Sequence, residues 1–190
     1  MISEMFAHGF IQRAFIGGVL VSLCAALLGV SLVLKRYSMI GDGLSHVSFG
    51  ALSIAIALGF APIKFSIPIV IIAAFFLLRL AENGKMKSDA AIAMVSASSL
   101  AIGVIVTSLT TGLSTDVCSY MFGSILAMSK DDVIFSVVLS VVVLIMFGFC
   151  YHRIFAVTFD ESFSKATGVK VGMYNTLISI FTAVTVVLGI

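Results

Sequence analysis

Between Ala14 and Leu34 the chain has no Lys, Arg, Asp or Glu, and five further stretches carry at most one: Met39 to Phe60, Phe65 to Leu78, Ala90 to Thr110, Val133 to Tyr151 and Met173 to Ile190. Hydrocarbon offers no partner for a peptide N–H or C=O, so a segment entering it must satisfy its backbone internally. About 20 helical residues cross a core about 30 Å thick. Charged residues make up 11% of the chain, against roughly 25% in soluble proteins. The runs therefore predict an all-α, polytopic membrane protein with about six transmembrane helices, a single domain over residues 1–190. Phe65 to Leu78 is short for a span, but flanking Lys64 and Arg79 can snorkel to the headgroups and lengthen its reach. The first run is no signal peptide, because it lacks a basic leading segment, is too long, and is followed by Lys35-Arg36. A net charge of +2 supplies no basic face for nucleic acid. Cys24, Cys118 and Cys150 are scattered and read as small hydrophobes.

An N-terminus outside the cell membrane puts Lys35, Arg36, Arg79, Lys85, Lys87, Arg153, Lys165 and Lys170 inside and leaves Arg13, Lys64 and Lys130 outside, the asymmetry of the positive-inside rule. Ser119 to Met128 is too short to span and too apolar for an ordinary loop. It is either a re-entrant segment lining a cavity or a helix resting at the outer interface. Small residues recur every fourth position at Ala51, Ala55, Gly59 and at Ala93, Ala97, Ala101, which lets helix backbones approach closely.

Inside the second run stand Asp42 and His46, six and ten residues past Arg36. At about 1.5 Å per residue this count puts them about 9 and 15 Å into the membrane. A carboxylate near the centre of a spanning helix costs about 2.5–3.5 kcal/mol, so it does not face lipid without a reason. The i, i+4 spacing sets both side chains on one helical face. A carboxylate oxygen and an imidazole nitrogen on adjacent turns can share one metal ion, and both suit zinc, manganese or iron. Alternatively the two pair with each other or hydrogen-bond a neighbouring helix. Ser45 and Ser48 are weaker candidates, since membrane serines commonly bond the carbonyl one turn back.

After the fifth run, Thr158-Phe159-Asp160-Glu161 reads as a capping box with Thr158 at N-cap and Glu161 at N3, and Gly168 is placed to end a short helix in a left-handed turn. Phe159, Phe163 and Ala166 then share an apolar face, with Glu161, Ser164 and Lys165 exposed. Two turns are not stable alone, so that face docks either on lipid headgroups or in a groove of a cytoplasmic protein. No phosphate loop is present. Gly84-Lys85 comes nearest and is followed by Met86, and no nucleophile or paired-carboxylate arrangement suggests a catalytic site.

Three stretches resemble one family, the membrane permease subunit of zinc, manganese and iron ABC importers. They are Lys35-Arg36-Tyr37-Ser38-Met39-Ile40-Gly41-Asp42-Gly43-Leu44-Ser45-His46; Ser114-Thr115-Asp116 followed by Tyr120-Met121-Phe122-Gly123-Ser124-Ile125-Leu126; and Asp160-Glu161 followed by Ala166-Thr167-Gly168-Val169. The resemblance implies a permease that imports a divalent metal, zinc first, with manganese or iron as alternatives, and holds no permanent cofactor. Asp42 and His46 would line the translocation path. Asp160, Glu161, Phe163, Ala166 and Gly168, within a coupling segment over residues 158–169, would dock on a separate cytoplasmic ATPase subunit. A permease homodimer fed by an extracellular or periplasmic metal-binding protein is implied as well. Family permeases carry several more helices beyond the sixth, so the resemblance also implies a fragment or a truncated product. The competing readings are a membrane-embedded metal-dependent enzyme using Asp42 and His46, and an inactive remnant.

Overall fold

The structure, a computed structural model, describes residues 9–37, 39–82, 88–110 and 130–189. The described helices are α1 (Gly9–Leu34), α2 (Ile40–Ala57), α3 (Pro62–Glu82), α4 (Ser88–Leu109), α5 (Lys130–Phe159), α6 (Glu161–Ala166) and α7 (Val171–Gly189). By length and apolar composition α1, α2, α4, α5 and α7 can each cross a membrane, and α3 contributes the shorter apolar stretch Pro62–Leu77. The all-α, multi-spanning architecture expected from the charge-free runs is the one observed. The segment Ser119 to Met128, the stretch 114–126 with its family-like residues, Cys118, Lys85 and Lys87 lie outside the described residues.

Helix α7 is the axis of the bundle. One side of it joins Cys24 and Leu28 of α1 and Val143, Phe147, Ile154 and Val157 of α5 in one buried cluster. The other side, through Ala183 and Val187, joins Leu44 and Val47 of α2, Val70 and Ala74 of α3, and Ile92 of α4. Lipid is as apolar as leucine, so helices in a membrane associate through close packing rather than expulsion from water. Accordingly α1, α4 and α5 turn residues such as Phe15, Ile105 and Phe149 outward.

Close packing is most extensive between α2 and α4. A Cβ on Gly50 would stand 2.8 Å from the Ser99 carbonyl oxygen, and one on Gly103 would stand 2.6 Å from the Phe49 ring. The alanine stripes behave differently from each other. Ala51 and Ala55 are buried and Gly59 sits in the turn after α2, whereas Ala93, Ala97 and Ala101 face away from the rest of the chain. Cys24 is a buried packing residue, as its surroundings in sequence suggested.

Three connections are Schellman turns, in which the chain reverses through a left-handed residue that pairs the last helical carbonyls. After α2, Gly59 has φ 72°, with Phe60 N–H bonding Ala55 O and Gly59 N–H bonding Ile56 O. After α6, Gly168 has φ 81°, with Val169 bonding Ser164 O and Gly168 bonding Lys165 O, as its position in sequence led us to expect. After α1 the left-handed residue is Arg36, φ 60°, with Tyr37 bonding Leu32 O and Arg36 bonding Val33 O. A side chain in that conformation is strained by roughly 1 kcal/mol or more.

Helix α5 departs from its expected end at Tyr151. It has 30 residues, about 45 Å at about 1.5 Å per residue, and runs on to Phe159. Nothing from His152 to Phe159 breaks a helix, and Ile154, Val157 and Thr158 are buried against the bundle. Thr158 is therefore helical and cannot cap α6. Asp160 does so instead, in extended backbone, with Oδ1 accepting from the Phe163 N–H at 2.9 Å. Glu161 becomes the first helical residue rather than the third.

Candidate metal site and coupling segment

Helix α2 begins at Ile40 because the Arg36 turn and Tyr37 occupy the connector, with Ile40 N–H bonding Tyr37 O. Asp42 falls in its first turn, where the positive end of the helix dipole favours a carboxylate. Counting from the helix start rather than from Arg36 puts Asp42 about 3 Å and His46 about 9 Å along the axis. These axial distances are shorter than the count from Arg36, because Arg36, Tyr37 and Met39 are not helical.

The pair is brought together as the spacing requires. His46 Nε2 lies 3.9 Å from Asp42 Oδ1, and the side chains are 34% and 65% exposed in this chain. That separation is too long for a hydrogen bond but suits two donors converging on one small cation. Gly43 and Gly50 pack against α4, and Gly50 follows His46 one turn on, so the contact with α4 runs along the flank of the face that carries the acid and the imidazole. Ser45 Oγ donates to the Asp42 carbonyl at 2.7 Å, the back-bond expected of a membrane serine, while Ser48 is buried inside the bundle. Among the described residues no group of three or more His, Cys, Asp or Glu comes together to hold a metal. The pair therefore offers two donor atoms.

At the end of the bundle that carries the Lys35-Arg36 turn lies α6. Ser164, expected at the surface, is buried at 1% exposure and fixes which face of α6 meets the bundle. Phe163 is 65% exposed and Phe159 73%. Phe159 continues an aromatic row along the end of α5, in which Tyr151 and Phe155 stack at 6.1 Å and Phe155 and Phe159 at 5.9 Å. Ala166 and Gly168 are also exposed. Phe159, Phe163 and Ala166, anticipated as an apolar face, are thus left uncovered by the described residues, while Lys165 Nζ reaches back to Glu161 Oε1 at 3.6 Å.

Sequence reasoning overlooked one residue. Asn175 of α7 is 3% exposed. Its Oδ1 accepts from Lys35 Nζ at 2.6 Å and its Nδ2 donates to Glu161 Oε1 at 3.2 Å. The signal was available: no other amide and no charged side chain occurs from Val171 to Ile190, and a lone amide in an apolar helix needs partners.

The sequence model of the ABC 3 transport family matches residues 7–190. A protein of Treponema pallidum (strain Nichols) named "Probable metal transport system membrane protein" is 32% identical over 187 residues, covering 98% of this chain and 70% of the relative. The "Manganese import system permease protein ScaB" of Streptococcus gordonii is 29% identical over 171 residues, covering 90% and 61%. Among solved structures, "PsaBC from Streptococcus pneumoniae in complex with Fab" superposes with a TM-score of 0.83 at 27% identity, over 100% of this chain and 69% of that one. The chain thus spans between 61% and 70% of the length of these relatives.

Proposed function

We propose a transport role from one premise: the chain belongs to the ABC 3 transport family. It is the membrane-spanning permease subunit of an ATP-driven importer of divalent metal ions, and ATP is hydrolysed on a separate subunit. The observation that carries the reading is the outward-facing pair, Asp42 Oδ1 and His46 Nε2 at 3.9 Å, on a spanning helix. Left to lipid, a carboxylate on a spanning helix is costly. A water-lined path, closed on its other side by a second copy of the permease, relieves that cost and can add the ligands that two side chains lack.

Two protein ligands are also the right number for cargo. A catalytic or structural site holds its ion through three or four protein donors, whereas a path must bind well enough to replace hydration and weakly enough to let go. An oxygen and an imidazole donor serve zinc, manganese and iron alike. The relatives whose names specify a metal specify manganese, and on that support we take manganese as the leading cargo, with zinc as its competitor.

With the N-terminus outside, the metal arrives from an extracellular or periplasmic binding protein, and α6 lies on the cytoplasmic side with Phe163 directed at the ATPase subunit. Asp160 caps that helix and Gly168 turns the chain away from it, so these residues present the docking face rather than form it.

The test is uptake of radiolabelled manganese by cells that lack other importers, carrying this permease with its ATPase and binding protein. Asp42→Ala and His46→Ala each abolish uptake while membrane abundance stays near wild type, because an exposed polar group contributes little to packing. Normal uptake in either variant would remove that residue from the path. A collapse in abundance would point to a pair that serves folding.

A further inference from the structure

We propose that Asn175 is a positioning residue that transmits movement of α6 to the connector leading into the metal pair on α2, an inference that rests on the docking and transport roles proposed above. The primary amide carries an acceptor and a donor on one rigid plane, so a single Asn can hold a cation and an anion at once. Lys35 only donates and Glu161 only accepts, which fixes the orientation of the amide: its oxygen meets Nζ at 2.6 Å and its nitrogen meets Oε1 at 3.2 Å.

Each partner sits where displacement matters. Lys35 is the last residue before Arg36, whose φ of 60° holds the reversal from α1 into α2, and Asp42 follows in the first turn of α2. Glu161 is the first residue of α6, the helix whose Phe163 face is uncovered. When the ATPase subunit pulls α6, Glu161 draws on Nδ2, and the same amide group moves or releases Lys35. Hydrogen bonds to charged groups in a partly buried setting are strong enough to carry such a bias. The strained turn next to Lys35 is the element that would take up the movement.

The experiment uses the permease co-purified with its ATPase subunit and reconstituted in vesicles, and reads manganese transported per ATP hydrolysed. In E161Q the new amide oxygen still accepts from Asn175, and the ratio holds. N175D sets a carboxylate against Glu161 and lowers the ratio about tenfold, a typical coupling between groups in contact, while the ATPase subunit stays bound. In the N175D/E161Q double variant the amide introduced on α6 donates to the carboxylate introduced on α7. That carboxylate still accepts from Lys35, and the ratio returns to that of wild type. Reciprocal rescue of coupling is not expected of a residue that only fills space.

A wild-type ratio in N175D overturns the inference, as does a double variant no better than N175D. If N175D is lost from the membrane, the double decides: recovery of both protein and ratio supports the transmission role, and failure to recover overturns it. A wild-type permease that holds no ATPase subunit would overturn the docking reading itself, and this shows before any variant is made.

Discussion

Gly50→Ala tests whether the α2–α4 contact sets the shape of the half-bundle that bears the metal pair. The added Cβ would lie 2.8 Å from the Ser99 carbonyl oxygen and 3.5 Å from its carbon. Backbone cannot rotate away, so the helices must separate, and overpacking of this kind costs about 1–3 kcal/mol. Alanine returns about 0.5–1 kcal/mol over glycine inside a helix, leaving a net loss of up to about 2.5 kcal/mol. In a chain of this length each kcal/mol moves the melting point by about 2–4 °C, so the midpoint falls by up to about 10 °C. Gly148 provides the control. Nothing lies within 4 Å of a Cβ there, and Gly148→Ala raises the midpoint by about 1–4 °C through helix propensity alone. Gly43→Ala and Gly103→Ala fall between, because the atoms they meet first belong to the Ile92 methyl and the Phe49 ring, which can move. The assay heats detergent-solubilised protein and follows the fraction that remains monodisperse. Equal shifts for Gly50→Ala and Gly148→Ala would refute the close-approach reasoning.

Arg36→Gly relieves a left-handed side chain and raises the same midpoint, by about 1 kcal/mol of stability, whereas Gly59→Ala, at φ 72°, lowers it by a similar amount; opposite signs would show that the Arg36 turn is held by its side chain. In a variant without native cysteines, an impermeant thiol reagent labels a cysteine at position 130 from outside intact cells and one at position 85 only after permeabilisation. The reverse pattern would invert the proposed topology. Phe163→Asp forces a charge into the docking groove and releases the ATPase subunit or uncouples hydrolysis, while Lys165→Ala, which loses an exposed ion pair worth about 0–1 kcal/mol, leaves both near wild type. Co-purification of Phe163→Asp at wild-type stoichiometry, with normal transport, would reject the docking face.

What the sequence made legible follows from which signals are local. Charge-free runs report helices crossing lipid because that requirement falls on each segment alone, and Gly168 announced its turn because few residues but glycine accept a left-handed φ readily. The i, i+4 spacing of Asp42 and His46 likewise fixed their common face. Boundaries that depend on neighbours were misplaced. Thr158 has the chemistry of a cap, but burial of Ile154 and Val157 carries α5 past it, and Asp160 takes the role. His46 lies less far along α2 than the count from Arg36 because the Arg36 turn interrupts the helix, and a left-handed arginine leaves no mark in the sequence. The alanine stripes show the same limit. Identical spacing buries Ala51 and Ala55 and leaves Ala93 and Ala97 exposed among the described residues.

Helix α7 explains why the unforeseen contact falls where it does. Its buried line includes Asn175, Ser179 and Thr182, the reverse of a helix in water, where polar groups would turn outward. Ser179 and Thr182 satisfy themselves locally, donating to the carbonyls of Asn175 and Ile178 one turn back. Such back-bonds tie a side chain to its own helix and carry no information to another. The amide of Asn175 has a donor and an acceptor to place at once, and here both are placed on other elements, Lys35 beside the α1–α2 turn and Glu161 at the start of α6. Its neighbours in that line can be exchanged for residues of equal volume with their own helix absorbing the change. A change at Asn175 must be felt at α6 and at the turn before Asp42 and His46 together.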